Sequence, residues 1–377
     1  MCKTDILIIG AGVIGLAVAK ELGGFSKNIV VIEKNESFGR ETSSRNSEVI
    51  HGGIYYPPGS LKAQMCVRGR ELLYRFCIEN NVPHRKTGKL IVATEEEEIS
   101  SIEALFNNAY NNEVPGLQIV SREDMRRMEP AIDGRAALYS PETGIFDSHI
   151  FMQRLFSKAK DGGTAILFDS EVTGIKKSSD GYEATIKEKS GNTGLSVKIV
   201  VNCAGLDSDT VAAMAGVDIK KERYELRYCK GQYFRVSRKK SGRVKRLIYP
   251  VPKPKAGGLG IHATPDLDGG MRLGPDHEFL KDRTKDYSVD ESRKKDFFMS
   301  AKKLMPFLEE EDLHADTSGI RPKLDGHGSD FRDFIIKEES ANGLPGFIDL
   351  IGIESPGLTA SLAIAEDVGR LIRNLQR

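Results

Sequence analysis

Gly10, Gly12 and Gly15 form a Gly-x-Gly-x-x-Gly turn, a spacing that can receive a diphosphate. Gly10 permits a tight turn, Gly12 lets the backbone approach phosphate oxygens, and Gly15 lets the next helix lie close to the preceding strand. Val13 and Ile14 follow at the start of that helix, where free N–H groups and the helix dipole favour negative charge. Such a turn is weak by itself, so its surroundings decide. Asp5 to Ile9 is a short apolar run, Leu16 to Leu22 reads as a helix, and Asn28 to Ile32 reads as a second buried strand running into Glu33 and Lys34. A carboxylate at Glu33 can accept hydrogen bonds from both hydroxyls of an adenosine ribose, and as an anion it disfavours a 2′-phosphate. The strand, turn, helix, strand and acid together favour dinucleotide binding over a mere packing turn.

The residues that follow decide which dinucleotide. Ser43, Ser44, Arg45, Asn46 and Ser47, and then His51, Gly52 and Gly53, place small hydroxyls and backbone amides just beyond the second strand. That suits a long cofactor running past the first strand-helix-strand unit, which favours FAD over NAD. Near the C-terminus, Pro356, Gly357, Leu358 and Thr359 supply a second turn opening a helix. Its N-terminus could stabilise the electron-rich edge of a reduced flavin. Val172 and the Ala204-Gly205 pair, which ends another apolar strand, are expected to line the adenine and pyrophosphate.

The elements that must position these residues recur along the chain. The length of 377 residues exceeds what one core usually supports, so two domains are expected. Strand and helix patterns of dinucleotide type occur at the start, near the middle and at the end, with antiparallel patterns between them. The expected fold is α/β plus α+β. Residues 1–82, 145–222 and 317–377 would form a Rossmann-type FAD-binding domain, and residues 83–144 and 223–316 an interleaved substrate domain on a mixed or antiparallel sheet. Asp282 to Leu304 is charged and helical in character, and the carboxylate run Glu95 to Glu98 reads as a solvated first helical turn.

Charge and composition narrow the partners. With 55 basic and 54 acidic side chains, the net charge of +1 gives no global argument for nucleic acid. Five cysteines without a Cys-x-x-Cys pair argue against a disulfide framework or a zinc site, so no metal is expected. No secretory signal is read at the N-terminus, and no apolar stretch reaches the roughly 20 residues of a membrane span. A cytoplasmic location is the expectation. The basic cluster Arg235, Arg238, Lys239, Lys240, Arg243, Lys245 and Arg246 reads as a solvated hairpin tip. Its sharper alternative is peripheral contact with an anionic membrane surface at the inner face.

Several longer motifs carry a family resemblance: RNSEVIHGGIYYPPGSLKA (Arg45 to Ala63), KGQYF (Lys230 to Phe234), LIYPVP (Leu247 to Pro252), GLGIHAT (Gly258 to Thr264), LGPD (Leu273 to Asp276), GIRPKL (Gly319 to Leu324) and IESPGLTASLAIAE (Ile353 to Glu366). In this order they cover nearly the whole chain. The sequence resembles the FAD-dependent oxidoreductases of the D-amino-acid-oxidase fold, which include glycine oxidase and glycerol-3-phosphate dehydrogenase. Within that group it is most similar to the L-2-hydroxyglutarate dehydrogenase/oxidase family. The resemblance implies noncovalent FAD and oxidation of an L-2-hydroxy acid to a 2-oxo acid, with electrons passed to quinone or O2. One position departs from the pattern: Gln232 stands where relatives often carry an acid.

Oxidising a secondary alcohol requires a hydride acceptor, a base for the hydroxyl proton and a cation for the carboxylate. Bound FAD supplies the acceptor through N5. His51, flanked by glycine and with an ordinary pKa near 6.5, is the candidate base; the alternatives are a hydrogen bond to substrate or flavin, or a structural role. Arg321 offers a planar fork matched to a carboxylate, and the resembled family uses an arginine at this motif; a salt bridge is the bland alternative. His262 is expected to contact substrate or to be a satisfied core histidine. Tyr56 and Tyr249 could bond substrate or only pack, and Lys230 could attract a second carboxylate. The small anionic substrate is expected to be L-2-hydroxyglutarate, with glycerol 3-phosphate, another 2-hydroxy acid, glycine or sarcosine as the runner-up. A redox-sensing flavoprotein and an NAD-dependent dehydrogenase are the readings from other classes.

Overall fold

Short apolar runs become central strands because both of their faces are covered. In the computed structural model, which describes residues 2–24, 28–252, 260–324 and 331–375, the run Cys2–Ile9 lies between Gly191–Asn202 and Ile29–Ile32, all parallel. Ala165–Leu167 extends the parallel order beyond Ile29–Ile32, and Leu344–Ile351 extends it beyond Gly191–Asn202. Ile6, Leu7 and Ile8 are fully buried. Their alternation sends Leu7 and Ile9 into a cluster with Val172, Tyr182 and Phe347, and Ile6 and Ile8 to the opposite face. Burying each such side chain contributes about 1.5–3 kcal/mol, so these runs anchor the sheet. The helices Val13–Leu22 and Gly357–Leu375 pack on each other, and Ser148–Asp161 packs beside the first. The antiparallel strands Glu171–Ser178 and Gly181–Glu188 continue the sheet from the early part of Gly191–Asn202, and Ile335–Glu339, antiparallel to Leu344–Ile351, makes eight strands among the described residues.

A second sheet has nine strands and a mixed pattern. Its interior strand Lys89–Ala93 runs antiparallel to Ala136–Ser140 and parallel to Leu247–Pro250. All five of its residues are buried, and they alternate between two cores. Leu90 and Val92 join Phe234, Ile248 and Phe297, the last carried by the helix Lys294–Lys302. Ile91 and Ala93 join Ile54, Ile102, Leu138 and Tyr249 on the other face. The helix Leu61–Glu79 starts where the Ser60 hydroxyl accepts the Ala63 N–H at 3.2 Å. A small sheet of Val49–Ile50, Gly144–Phe146 and His84–Arg85 completes this part.

The chain divides into two compact units, Met1–Ser44 with Ser148–Tyr228 and Arg321–Arg377, and Arg45–Asp147 with Cys229–Ile320. From sequence the boundaries are expected at 82/83 and 144/145, whereas the chain changes unit at 44/45 and 147/148. The physical reason lies in residues 45–82. The strand Val49–Ile50 pairs with Gly144–Phe146, and the Leu61–Glu79 helix hydrogen-bonds the loop at residues 51–52.

Two local expectations are corrected. Residues 282–290 are not helical, because Asp282, Asp286 and Asp290 each accept a backbone N–H two residues on, from Thr284, Ser288 and Ser292. The basic segment 235–246 is not a hairpin tip. It contains the short helix Arg238–Ser241 and joins two strands that do not pair with each other. Among the described residues no helix is long and apolar enough to cross a membrane, and no cluster of His, Cys, Asp or Glu could hold a metal ion. Gly258 and Leu259 of the GLGIHAT motif lie outside the described residues.

Candidate functional site

The glycine turn is built as the spacing requires. Gly10 has φ +101°, and a Cβ there would sit 2.6 Å from the Cys203 carbonyl oxygen. A Cβ on Gly15 would lie 1.9 Å from the Gly10 carbonyl oxygen, so only hydrogen allows the helix to approach. Val13–Leu22 begins directly at the turn, and the Ser43 hydroxyl accepts the Val13 N–H at 2.9 Å. Ser43 thus caps the helix end from the loop after the second strand.

Glu33 is buried and ties this turn together. One carboxylate oxygen accepts the Ala11 N–H at 2.7 Å; the other accepts the backbone N–H and side-chain amide of Asn35 at 2.9 and 2.7 Å. A carboxylate has about four acceptor sites, so roughly one remains for a ribose hydroxyl rather than the two foreseen. Lys34 pairs with Asp207 and with Glu41, the latter at 3.1 Å. This ties the second strand to the turn that contains Gly205. Val172 is buried against Ile9 and Ile32. Gly357, Leu358 and Thr359 open the Gly357–Leu375 helix just after Pro356, and Thr359 is fully buried. A helix N-terminus at the turn, an acceptor at Glu33 and a glycine floor that admits no side chain fit a dinucleotide diphosphate.

The other unit carries the imidazole segment. The carbonyls of residues 51–54 and 56 are gripped by side chains from the Leu61–Glu79 helix and from the Ile99–Asn111 helix with its C-cap. The Cys66 thiol donates to the His51 carbonyl at 3.5 Å, and Arg70 donates to the Gly52 carbonyl at 3.1 Å. Asn112 donates to Gly53 and Tyr56 at 3.0 and 2.8 Å, while Asn108 donates to Ile54 and Tyr56 at 2.7 and 3.0 Å. Burial pushes the Cys66 thiol up to about 12, so it stays protonated as a donor. This framework fixes the backbone that presents His51, Tyr55 and Tyr56. Nothing in the sequence marked Arg70, Asn108 or Asn112, because they lie on helices remote in sequence from the segment they hold.

His51 does not keep the ordinary histidine pKa. Burial, and then the charge of Lys89, push it down to about 3, so its imidazole is neutral at physiological pH. Tyr249 and His262 stack with ring centroids 3.5 Å apart and planes 10° from parallel. His262 is therefore partnered by an aromatic face, and Tyr249, 2% exposed, has its phenol pKa raised by burial. Tyr56 is half-buried. Lys89, which no sequence motif marks, lies 3.8 Å from the centroid of the Tyr249 ring. The only hint in the sequence was a lysine opening an otherwise apolar run.

Arg45 stacks over the Tyr287 ring at 4.0 Å. Asn46 accepts the Glu48 N–H at 2.8 Å, shaping the turn, and Ser47 lines a small cavity with Thr264 and Arg272. A Cβ on Gly52 would meet the Ser140 hydroxyl at 3.1 Å. Lys230 is buried, and its ammonium already pairs with Asp286 at 2.7 Å. That charge is committed within the protein, which removes the reason for assigning it a second carboxylate. Gln232 gains a structural account. Its backbone N–H and side-chain NH2 donate to buried Asp276, and its side-chain Oε1 accepts the Asp290 N–H at 2.6 Å. An acid here would face Asp276 as a like charge. In the basic segment Arg235 pairs with Asp266, Lys240 with Glu309 and Asp312, and Arg246 with buried Glu129. Arg321 lies on the strand Leu313–Leu324 at the residue where the chain passes into the nucleotide-binding unit.

A family model described as FAD dependent oxidoreductase matches residues 5–371. The chain belongs to that family, and FAD is its cofactor. It is 39% identical to the mitochondrial L-2-hydroxyglutarate dehydrogenase of Arabidopsis thaliana, across 97% of this chain and 83% of that protein. It is 32% identical to a glycerol 3-phosphate dehydrogenase of Caloramator mitchellensis, across 99% of this chain and 74% of that one. The solved structure of L-alpha-glycerophosphate oxidase from Mycoplasma pneumoniae, with FAD bound, matches at a TM-score of 0.88 and 28% identity, covering 99% of this chain and 95% of that chain.

Proposed function

We propose that the chain oxidises a small L-2-hydroxy acid, L-2-hydroxyglutarate, to the 2-oxo acid. The observation that carries the reading is the neutral imidazole of His51 on a segment clamped at its carbonyls by Cys66, Arg70, Asn108 and Asn112. Bound FAD supplies the hydride acceptor. His51, already unprotonated, accepts the hydroxyl proton at an imidazole nitrogen. An imidazole held near 3 is a weak base in the free protein, and a bound anion opposes the Lys89 charge and raises its basicity. Arg321 grips a substrate carboxylate with two parallel N–H donors. His262, fixed by its stack on Tyr249, presents a ring nitrogen to substrate oxygen. Tyr56 contacts the substrate, while Lys230 stays paired with Asp286. The glycine turn, Glu33, Ser43 and the start of the Gly357–Leu375 helix hold the cofactor without a covalent bond.

Quinone or dioxygen takes the electrons onward. Peripheral contact with the inner face of a membrane belongs to the quinone branch, with the paired charges of residues 235–246 offering little toward it. The glycerophosphate oxidase match favours glycerol 3-phosphate as the second reading. The test is product analysis with L-2-hydroxyglutarate, glycerol 3-phosphate, glycine and sarcosine offered separately. The highest kcat/KM is expected for L-2-hydroxyglutarate with formation of 2-oxoglutarate. A higher value for glycerol 3-phosphate overturns the assignment.

A further inference from the structure

Lys89 opens the interior strand Lys89–Ala93, and its side chain is wholly buried. Its ammonium has no hydrogen-bond partner among the described residues. It lies 3.8 Å from the Tyr249 ring centroid and 5.4 Å from that of Tyr55, whose hydroxyl is also buried without a partner. Aromatic faces return only a small part of the hydration that a buried cation gives up. The buried basic side chains Arg70 and Lys230 of this unit are provided for: Arg70 donates to the Gly52 carbonyl, and Lys230 pairs with Asp286.

The surroundings of Lys89 point to an anion from outside the chain. Strand alternation puts it on the face of Ile91 and Ala93, where Ile54 and Tyr249 gather and the His51 segment passes. Its charge is felt at His51 and at Cys66, so it belongs electrostatically to the imidazole cluster. Burial holds its own pKa down to about 7, the condition of a cation that lacks its counter-ion.

We propose that Lys89 is a substrate-binding residue whose ammonium takes the second carboxylate of the substrate, so that it selects dianionic over monoanionic 2-hydroxy acids. This rests on the substrate class proposed above. A tail ending in methyl would leave a desolvated cation unpaired, which is how a buried charge rejects an apolar competitor. Lys230, the lysine that the motif suggested for this role, has its charge committed to Asp286.

The experiment uses the FAD-loaded protein with Lys89→Met and Lys89→Arg. Glutarate and butyrate are titrated against the visible spectrum of the bound flavin, and KM is measured for L-2-hydroxyglutarate and L-2-hydroxyvalerate. Lys89→Met is expected to weaken glutarate binding and raise KM for L-2-hydroxyglutarate by roughly 10–100-fold, while butyrate and L-2-hydroxyvalerate change little. Lys89→Arg is expected to retain part of the preference. Met also removes an uncompensated charge, so its melting temperature should not fall. Equal losses for both acids, or no loss for either, overturn the proposal. Wild-type protein that binds glutarate but fails to oxidise L-2-hydroxyglutarate removes the proposed function, while the glutarate-to-butyrate comparison still decides Lys89. Wild-type protein that does not bind glutarate overturns the role of Lys89. If Lys89→Met does not fold, a Lys89→Arg protein with unchanged preference supports the charge, and one that has lost all preference for glutarate refutes it.

Discussion

The His51 imidazole should stay neutral far into the acid range. Burial is the larger cause and the Lys89 charge the smaller, and together they move its pKa from 6.5 to about 3. A histidine at 6.5 would be about 90% protonated at pH 5.5, whereas one near 3 would be below about 1% protonated. The shift also fixes a sign for stability. Between about pH 3 and 6.5 the unfolded chain binds the proton and the folded chain does not, so this group makes stability rise with pH across that window. The assay is the titration of nitrogen-15-labelled histidines by NMR in the ligand-free flavoprotein. The His51 resonance is the one of seven missing in His51→Asn. The expected midpoint lies below pH 5. In Lys89→Met it should rise, because a repelling cation is gone, yet stay below 6.5 because burial remains. A midpoint between 6 and 7 in the unmodified protein would refute the buried, cation-flanked placement and with it the reason for a standing neutral base.

Other perturbations follow from the same geometry. Gly10→Ala forces a side chain into φ +101° and against the Cys203 carbonyl, at a cost of about 1–3 kcal/mol before the overlap; FAD affinity should fall at least roughly tenfold, and unchanged retention of FAD on dialysis would contradict it. Arg321→Met should raise KM for L-2-hydroxyglutarate by roughly 10–100-fold with kcat less affected; steady-state kinetics showing a normal KM would retire the clamp. Asp349 is fully buried, and burial with nearby Glu339 pushes its pKa up to about 8 against the stabilising Asn202 hydrogen bond. The folded state therefore binds the extra proton between about pH 4 and 8, and stability falls as pH rises there, by up to about 1.4 kcal/mol per pH unit. Asp349→Asn should flatten that fall in melts from pH 5 to pH 9, and an unchanged slope would show that another group is responsible.

What could be read from residue order alone was the part governed by local rules. The turn at Gly10, the strands beside it, the helix that follows it and the acid at Glu33 depend on periodicity, glycine spacing and length, all visible along the chain. Helix and strand ends were less legible. The strand Gly191–Asn202 begins earlier than its apolar core, because its first half pairs with Gly181–Glu188 rather than lying inside the parallel layer. Residues 282–290 carry helical composition, yet their aspartates cap their own backbone. Charge assignment failed where partners are remote: Lys230 meets Asp286 across 56 positions, and Arg246 meets Glu129 across 117. Lys89 escaped notice for the converse reason. A lysine in a strand is ordinarily solvated, and only burial in three dimensions shows that this one lacks a counter-ion among the described residues.

The central claim is that a hydroxy acid bound to this protein gives two electrons to its flavin. It is tested most directly by recording the visible spectrum of the purified protein without air, before and after adding L-2-hydroxyglutarate. A yellow protein whose flavin bands bleach, with one equivalent of 2-oxoglutarate formed per flavin, is the predicted result. A protein that holds FAD yet keeps its oxidised spectrum with L-2-hydroxyglutarate, while another small acid bleaches it, would contradict the assignment.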